Sequence, residues 1–131
     1  MKTIKIQLQY LIKALIKLKE ALTLGDEEIV RDGTIQRFEF TFELAWKLMK
    51  KINAFYGIET NSPRQAIKQA FREKIISNNP LWLEILECRN IISHTYSEES
   101  SLNIYNNIKK FIPLFDELIT NIQKIIDNKE D

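Results

Sequence analysis

The sequence predicts an all-α protein, an antiparallel up-down bundle of about five helices. Two observations carry that prediction. Apolar residues recur at alternating steps of three and four over long stretches, which is helical spacing. Only three Gly and three Pro occur in 131 residues, too little turn punctuation for a sheet protein of this size, so the elements are few and long. The many isoleucines lean toward strand through their β-branching, but periodicity sustained over several turns outweighs that local preference.

The first helix carries Ile4, Leu8, Leu11, Leu15, Leu18 and Leu22 on one stripe with lysines elsewhere, and Gly25 supplies its stop. Asp26 to Gly33 is polar and reads as a connector with room for a helical turn. The second helix is apolar on two sides. Ile35, Phe38, Phe42, Ala45, Met49, Ile52 and Tyr56 form one stripe, while Phe40, Leu44, Leu48 and Phe55 point away from it. Such a helix is either central in its own bundle or half-used by another subunit. Glu39, Glu43 and Lys47, four residues apart, can form a charged ladder between those faces.

Gly57 ends the second helix. Ser62-Pro63 reads as an N-cap followed by proline at the first helical position, opening a short helix to about Arg72. Asn79-Pro80 repeats the signal and opens a fourth helix containing Leu81, Trp82, Ile85, Ile91 and Ile92. Ser97-Glu98-Glu99 reads as a cap with acidic residues in the first turn, complementing the helix dipole. The last helix runs through Ile104, Ile108, Phe111, Phe115, Leu118, Ile122 and Ile125. Pro113 is expected to kink or split it, and the polar tail after Asp127 to fray.

Hydrophobic residues at 44% and charged residues at 28% place the chain among folded globular proteins, and its length suits one domain spanning 1–131. The formal charge of +1 gives no global attraction to nucleic acid. One local concentration exists: Lys2, Lys5, Lys13, Lys17 and Lys19 face only Glu20, and its plain reading is a solvated helix face. Cys88 is the only cysteine, which excludes an internal disulfide and a cysteine metal cluster within one chain. Lys5, Gln7, Gln9 and Lys13 interrupt the apolar core that a signal peptide needs, and no run approaches the roughly 18 apolar residues of a membrane span. A cytoplasmic protein without membrane contact is the expectation.

Much of the usual catalytic inventory is missing: no phosphate-binding glycine loop, no paired histidines for zinc, no DxDxDG calcium loop. Neither a metal site nor a cofactor is expected. His94 is the only histidine, so any imidazole acid–base chemistry in this chain must use it. In a continuing helix Arg89, Ser93 and Tyr96 share one stripe, and Asn90 and His94 share its neighbour. A guanidinium that can grip phosphate oxygens thereby meets an imidazole that exchanges protons near neutrality, a combination suited to binding or cleaving a phosphodiester. The plainer alternative is a helix end whose Arg and His cap carbonyls or pair with carboxylates.

Arg89-Asn90-Ile91-Ile92-Ser93-His94-Thr95-Tyr96 resembles the R-x4-H-x-Y signature of the HEPN superfamily. The stretch from Ile35 to Lys47, with Phe38, Phe40, Phe42, Glu43 and Trp46, resembles a hallmark of that superfamily's nucleotidyltransferase substrate-binding branch. Ser62-Pro63-Arg64, Ala70-Phe71 and Trp82 fit the same branch in the same order. The resemblance implies a HEPN-like helical bundle that forms a homodimer and serves a separate minimal nucleotidyltransferase subunit. It implies binding of a nucleotide or RNA phosphate at Asn90, Ser93 and Tyr96. In toxin–antitoxin pairs of this kind the helical subunit is a metal-independent RNase. Carried over, Arg89 and His94 are catalytic, and Tyr96 is the tyrosine that the partner adenylylates. An autonomous nucleotidyltransferase is not expected, because the glycine-serine loop and paired aspartates of that chemistry are absent.

Overall fold

The computed structural model describes residues 1–94 and 97–130, with the side chains of His94 and Glu130 outside that description. Within it the chain forms five helices: α1 (Lys2–Ala21), α2 (Glu28–Phe55), α3 (Pro63–Arg72), α4 (Asn79–His94) and α5 (Glu98–Glu130). They pack as the up-down bundle that the periodicity predicts. The long α2 is the central element, lying against α1, α3 and α5, while α4 is held by α3 and α5.

The α2 stripe from Ile35 to Ile52 is buried, and Leu48 on the other side joins it. Phe40 and Phe55 remain exposed and Leu44 half-covered, so the outer face of α2 is used only in part. Phe38 stacks on Phe111 of α5 at 5.9 Å between ring centroids, and Trp82 of α4 meets Phe115 edge-on at 5.3 Å. These aromatic pairs join the central helix and the signature helix to α5. Each adds geometric preference to the burial of large apolar area. Polar ties fix the loops: Tyr105 donates to the Gly25 carbonyl at 2.8 Å, and buried Asn53 donates to the Ala66 carbonyl at 3.2 Å.

The structure revises several boundaries. The connector after α1 is shorter than its polarity suggests, because α2 begins at Glu28 and Gly33 lies within it. Arg31 folds back onto the Asp26 carbonyl at 3.3 Å and Thr34 onto the Val30 carbonyl at 2.7 Å, so polar side chains support this first stretch of helix. The cap of α4 is Asn78 rather than Asn79: its side-chain oxygen accepts from the Leu81 N–H at 3.1 Å, the three-residue reach that capping requires. Pro113 does not split α5, and helix extends past Asp127 to Glu130. Pro113 removes the hydrogen bond to the Lys109 carbonyl. Both residues are exposed, so water can serve that carbonyl.

Two helix ends share one stop. After α2, Gly57 takes φ +85°, its N–H bonds the Ala54 carbonyl, and the Ile58 N–H bonds the Asn53 carbonyl. This pair of closing bonds is the Schellman arrangement, and its left-handed residue favours glycine. After α3 the same bonds run from Lys74 to Phe71 and from Ile75 to Ala70, but the left-handed residue, at φ 62°, is a lysine.

Candidate functional site

The signature helix α4 meets the hallmark segment of α2 at a single carboxylate. Glu43 Oε1 accepts from Arg89 Nε at 3.0 Å and lies 2.8 Å from its Nη2. Glu43 Oε2 accepts from the indole N–H of Trp46 at 3.0 Å. Lys47 stands 4.0 Å away on the next turn. The spacing of three and four residues from Glu43 to Trp46 and Lys47 puts all three on one side of α2, which is why a single carboxylate gathers them.

Arg89 is held on its remaining sides as well. Its Nη1 donates to the Asn90 side-chain oxygen at 3.2 Å, and the Phe42 ring lies beneath the guanidinium at 5.9 Å. An arginine carries five N–H donors. Among the described residues three are engaged, and the side chain keeps about a quarter of its surface open, with 26% exposed. The guanidinium is therefore oriented by Glu43 and Asn90, and no described residue takes its other two N–H groups.

Glu39 lies one turn before Glu43. Burial pushes its carboxyl above the ordinary range, the Arg89 charge pulls it back, and the neighbouring Glu43 charge adds to the rise. Arg89 thus pairs with Glu43 and lies within electrostatic reach of Glu39. An added anion here would compete with Glu43 for Arg89.

The sequence-predicted residues divide into three groups. Arg89 and Asn90 come together and hydrogen-bond directly. Ser93 shares the exposed side of α4, but its hydroxyl donates to the Arg89 carbonyl at 3.1 Å, a local back-bond within the helix. The backbone of His94 ends α4, so the helix covers Arg89, Asn90, Ser93 and His94 of the two stripes. The His94 side chain and the whole of Tyr96 lie outside the described residues. Among those that are described, no group of three or more His, Cys, Asp or Glu could hold a metal ion. No helix there is long and apolar enough to cross a membrane.

Glu43 is assigned by its spacing to a surface ladder and not to the site. Periodicity places a residue on a helix face, but it does not say which helix 46 positions later will supply the partner. The available signal is a carboxylate amid aromatics in the hallmark segment itself.

Residues 6–124 match the family model described as nucleotidyltransferase substrate binding protein like. The chain belongs to this family. A protein of Haemophilus influenzae described as a probable ribonuclease HepT is 33% identical over 85 residues, 61% of this chain. The match covers 58% of that relative's length. Among solved structures, a Thermus thermophilus protein superposes with a TM-score of 0.79 at 30% identity, over 86% of this chain and 98% of its own. A second, from Haemophilus influenzae, is described as revealing the fold of a substrate binding domain of a nucleotidyltransferase. It also gives a TM-score of 0.79, at 25% identity over 88% and 98% of the two chains. The all-helical fold is thus that of the nucleotidyltransferase substrate-binding family, and in this chain α2 and α4 meet at the Arg89–Glu43 pair.

Proposed function

We propose that this chain is the helical partner subunit of a two-component minimal nucleotidyltransferase system. It binds the catalytic subunit and a nucleotide or nucleic-acid phosphate at a site on a homodimer interface. The observation that carries this reading is the poised Arg89, oriented by Glu43 and Asn90, with two N–H groups that no described residue takes. Arginine so presented suits a phosphate oxygen, and the ring of Phe42 limits its rotation. Exposed Ile91 beside this site supplies apolar surface for a two-fold contact near the signature. Metal and nucleoside triphosphate belong to the partner. The test is co-purification with a separate minimal nucleotidyltransferase: the wild type retains it, Arg89→Ala retains less, and a wild type that retains none refutes the assignment.

A second reading is favoured by the relative described as a ribonuclease. Here the chain is a metal-independent RNase using Arg89 and His94. The 2′-hydroxyl attacks the adjacent phosphorus, a base takes its proton, and an acid protonates the departing 5′-oxygen. One chain has one histidine, so a dimer supplies two copies of His94 and of Arg89 about its axis. Arg89 neutralises the charge that accumulates on the phosphoryl oxygens. Adenylylation of Tyr96 by the partner then switches the enzyme off. RNA incubated in EDTA should be cut by the wild type and spared by folded His94→Ala. Equal cutting by both removes His94 from the chemistry.

A further inference from the structure

Beside the Arg89 site, α1 and α2 enclose a groove. Arg37 donates to the Lys17 carbonyl at 2.8 Å, which pins the register of the antiparallel pair. Stepping by three and four from that link, Lys17, Ala14, Tyr10, Gln7 and Thr3 descend α1, while Arg37, Phe40, Leu44, Lys47 and Lys51 ascend α2. Both series keep to one face of the pair.

Three hollows follow one another along this face. The first, about 810 Å³, lies between Tyr10, Lys13 and Lys17 on one side and Arg37, Phe40 and Leu44 on the other. The second, about 430 Å³, continues beside Gln7, Trp46, Lys47 and Lys50. The third ends the series at Thr3, Lys51 and Phe55. From Gly33 to Lys51 the groove is about 27 Å long at the helical rise per residue. Six cations line it, namely Lys13, Lys17, Arg37, Lys47, Lys50 and Lys51, and no carboxylate is among its described lining residues. Lys47 also leans toward Glu43 at 4.0 Å. Aromatic rings stand among these charges: Phe40 is 60% exposed and Tyr10 53%.

A chain with a net charge of only +1 has thus gathered a third of its basic residues on one groove. A second copy of the same face would set these cations against themselves across a two-fold axis, so self-association does not explain the pattern. Single-stranded RNA does. Its phosphates match a row of cations, and its unpaired bases match exposed rings, the arrangement used for strands bound without strict sequence preference. The groove also borders the Arg89 site, because Trp46 lines the second hollow and donates to the carboxylate that holds Arg89.

We propose that the α1–α2 groove is a binding track for single-stranded RNA, with phosphates on the six cations and bases stacked on Phe40 and Tyr10. This rests on the proposed binding of a nucleic-acid phosphate at Arg89 and names a surface through which such a strand approaches.

The probe is a fluorescein-labelled 2′-O-methyl oligouridylate, which lacks the free 2′-hydroxyl needed for cleavage, followed by anisotropy over a range of salt. Wild type binds with a steep salt dependence, the slope approaching about −4 if all six cations engage a single strand. Lys13→Gln/Lys17→Gln/Lys50→Gln, folded by circular dichroism, loses about two from the magnitude of that slope. Phe40→Ala weakens binding by about tenfold while leaving the slope unchanged, because stacking releases no counterions. A mononucleotide competes far less well than the oligomer. Any of three results overturns the track: affinity and slope indifferent to both variants, a mononucleotide that competes as well as the strand, or Phe40→Ala abolishing only self-association or nucleotidyltransferase binding. Arg89→Ala separates the two proposals. If RNA affinity survives while neither partner binding nor cleavage is ever found, the function reading fails and the track stands.

Discussion

Glu43 decides how Arg89 is presented. Its two oxygens accept from the guanidinium and from the Trp46 indole, so one carboxylate sets both the charge balance and the orientation of the arginine. Glu43→Gln keeps the shape and removes the charge. Both partners are partly exposed, so the pair should be worth about 1 kcal/mol or less to folding. The expected outcome is a small drop in the urea midpoint with a larger, separately measured loss of partner binding. Glu39 gives a pH signature. Burial raises its carboxyl in the folded state, so the folded protein holds that proton more tightly than the unfolded chain. Its contribution is fully present below the usual carboxylate pKa and is lost as pH rises through the raised value. Glu39→Gln should therefore raise Tm at about pH 7 and give no such gain at about pH 3.5, which thermal melts at the two pH values check.

The elements show what the sequence made legible. Long stripes with a steady three-four step, as on α1 and α5, are readable because burial of one face dominates their energetics. Ser62 before Pro63 was equally readable, since its side chain accepts from the Gln65 N–H and the proline needs no donor there. Asn78 and Asn79 were not separable, because both are good caps and only the folded register selects the first. The stop after α3 carried no glycine to announce it, and tertiary packing holds Lys74 at φ 62° while Ile75 is buried behind it. Lys74→Gly relieves the left-handed strain at an exposed position but increases the freedom of the unfolded chain. A net stabilisation of about 0.5 kcal/mol, read from the urea midpoint, is the expected result. The candidate site was legible on α4 and not on α2. Arg89 and Asn90 cluster locally in the sequence, whereas Glu43 joins them only where α2 folds against α4.

Across the whole molecule, one hydrophobic cluster draws residues from all five helices, from Ile4 of α1 to Ile126 of α5. Trp82 is its largest fully buried side chain and ties the signature helix to Phe115. Trp82→Ala should cost about 3–5 kcal/mol by leaving a cavity, a large share of a small domain's stability. Denaturation followed by circular dichroism should show a single transition moved to much lower urea. The same packing sets the site: α5 supports α4 from behind through Trp82 and Phe115, so Arg89 meets Glu43 from a fixed helix. Engagement of a nucleotidyltransferase at this meeting point, as proposed, is read by calorimetric titration with a separate minimal nucleotidyltransferase. Saturable binding by the wild type that weakens at least tenfold in folded Arg89→Ala, a difference of about 1.4 kcal/mol or more, is the expected result. Equal affinity of the two proteins, or no heat of binding and no complex with the wild type, would contradict it.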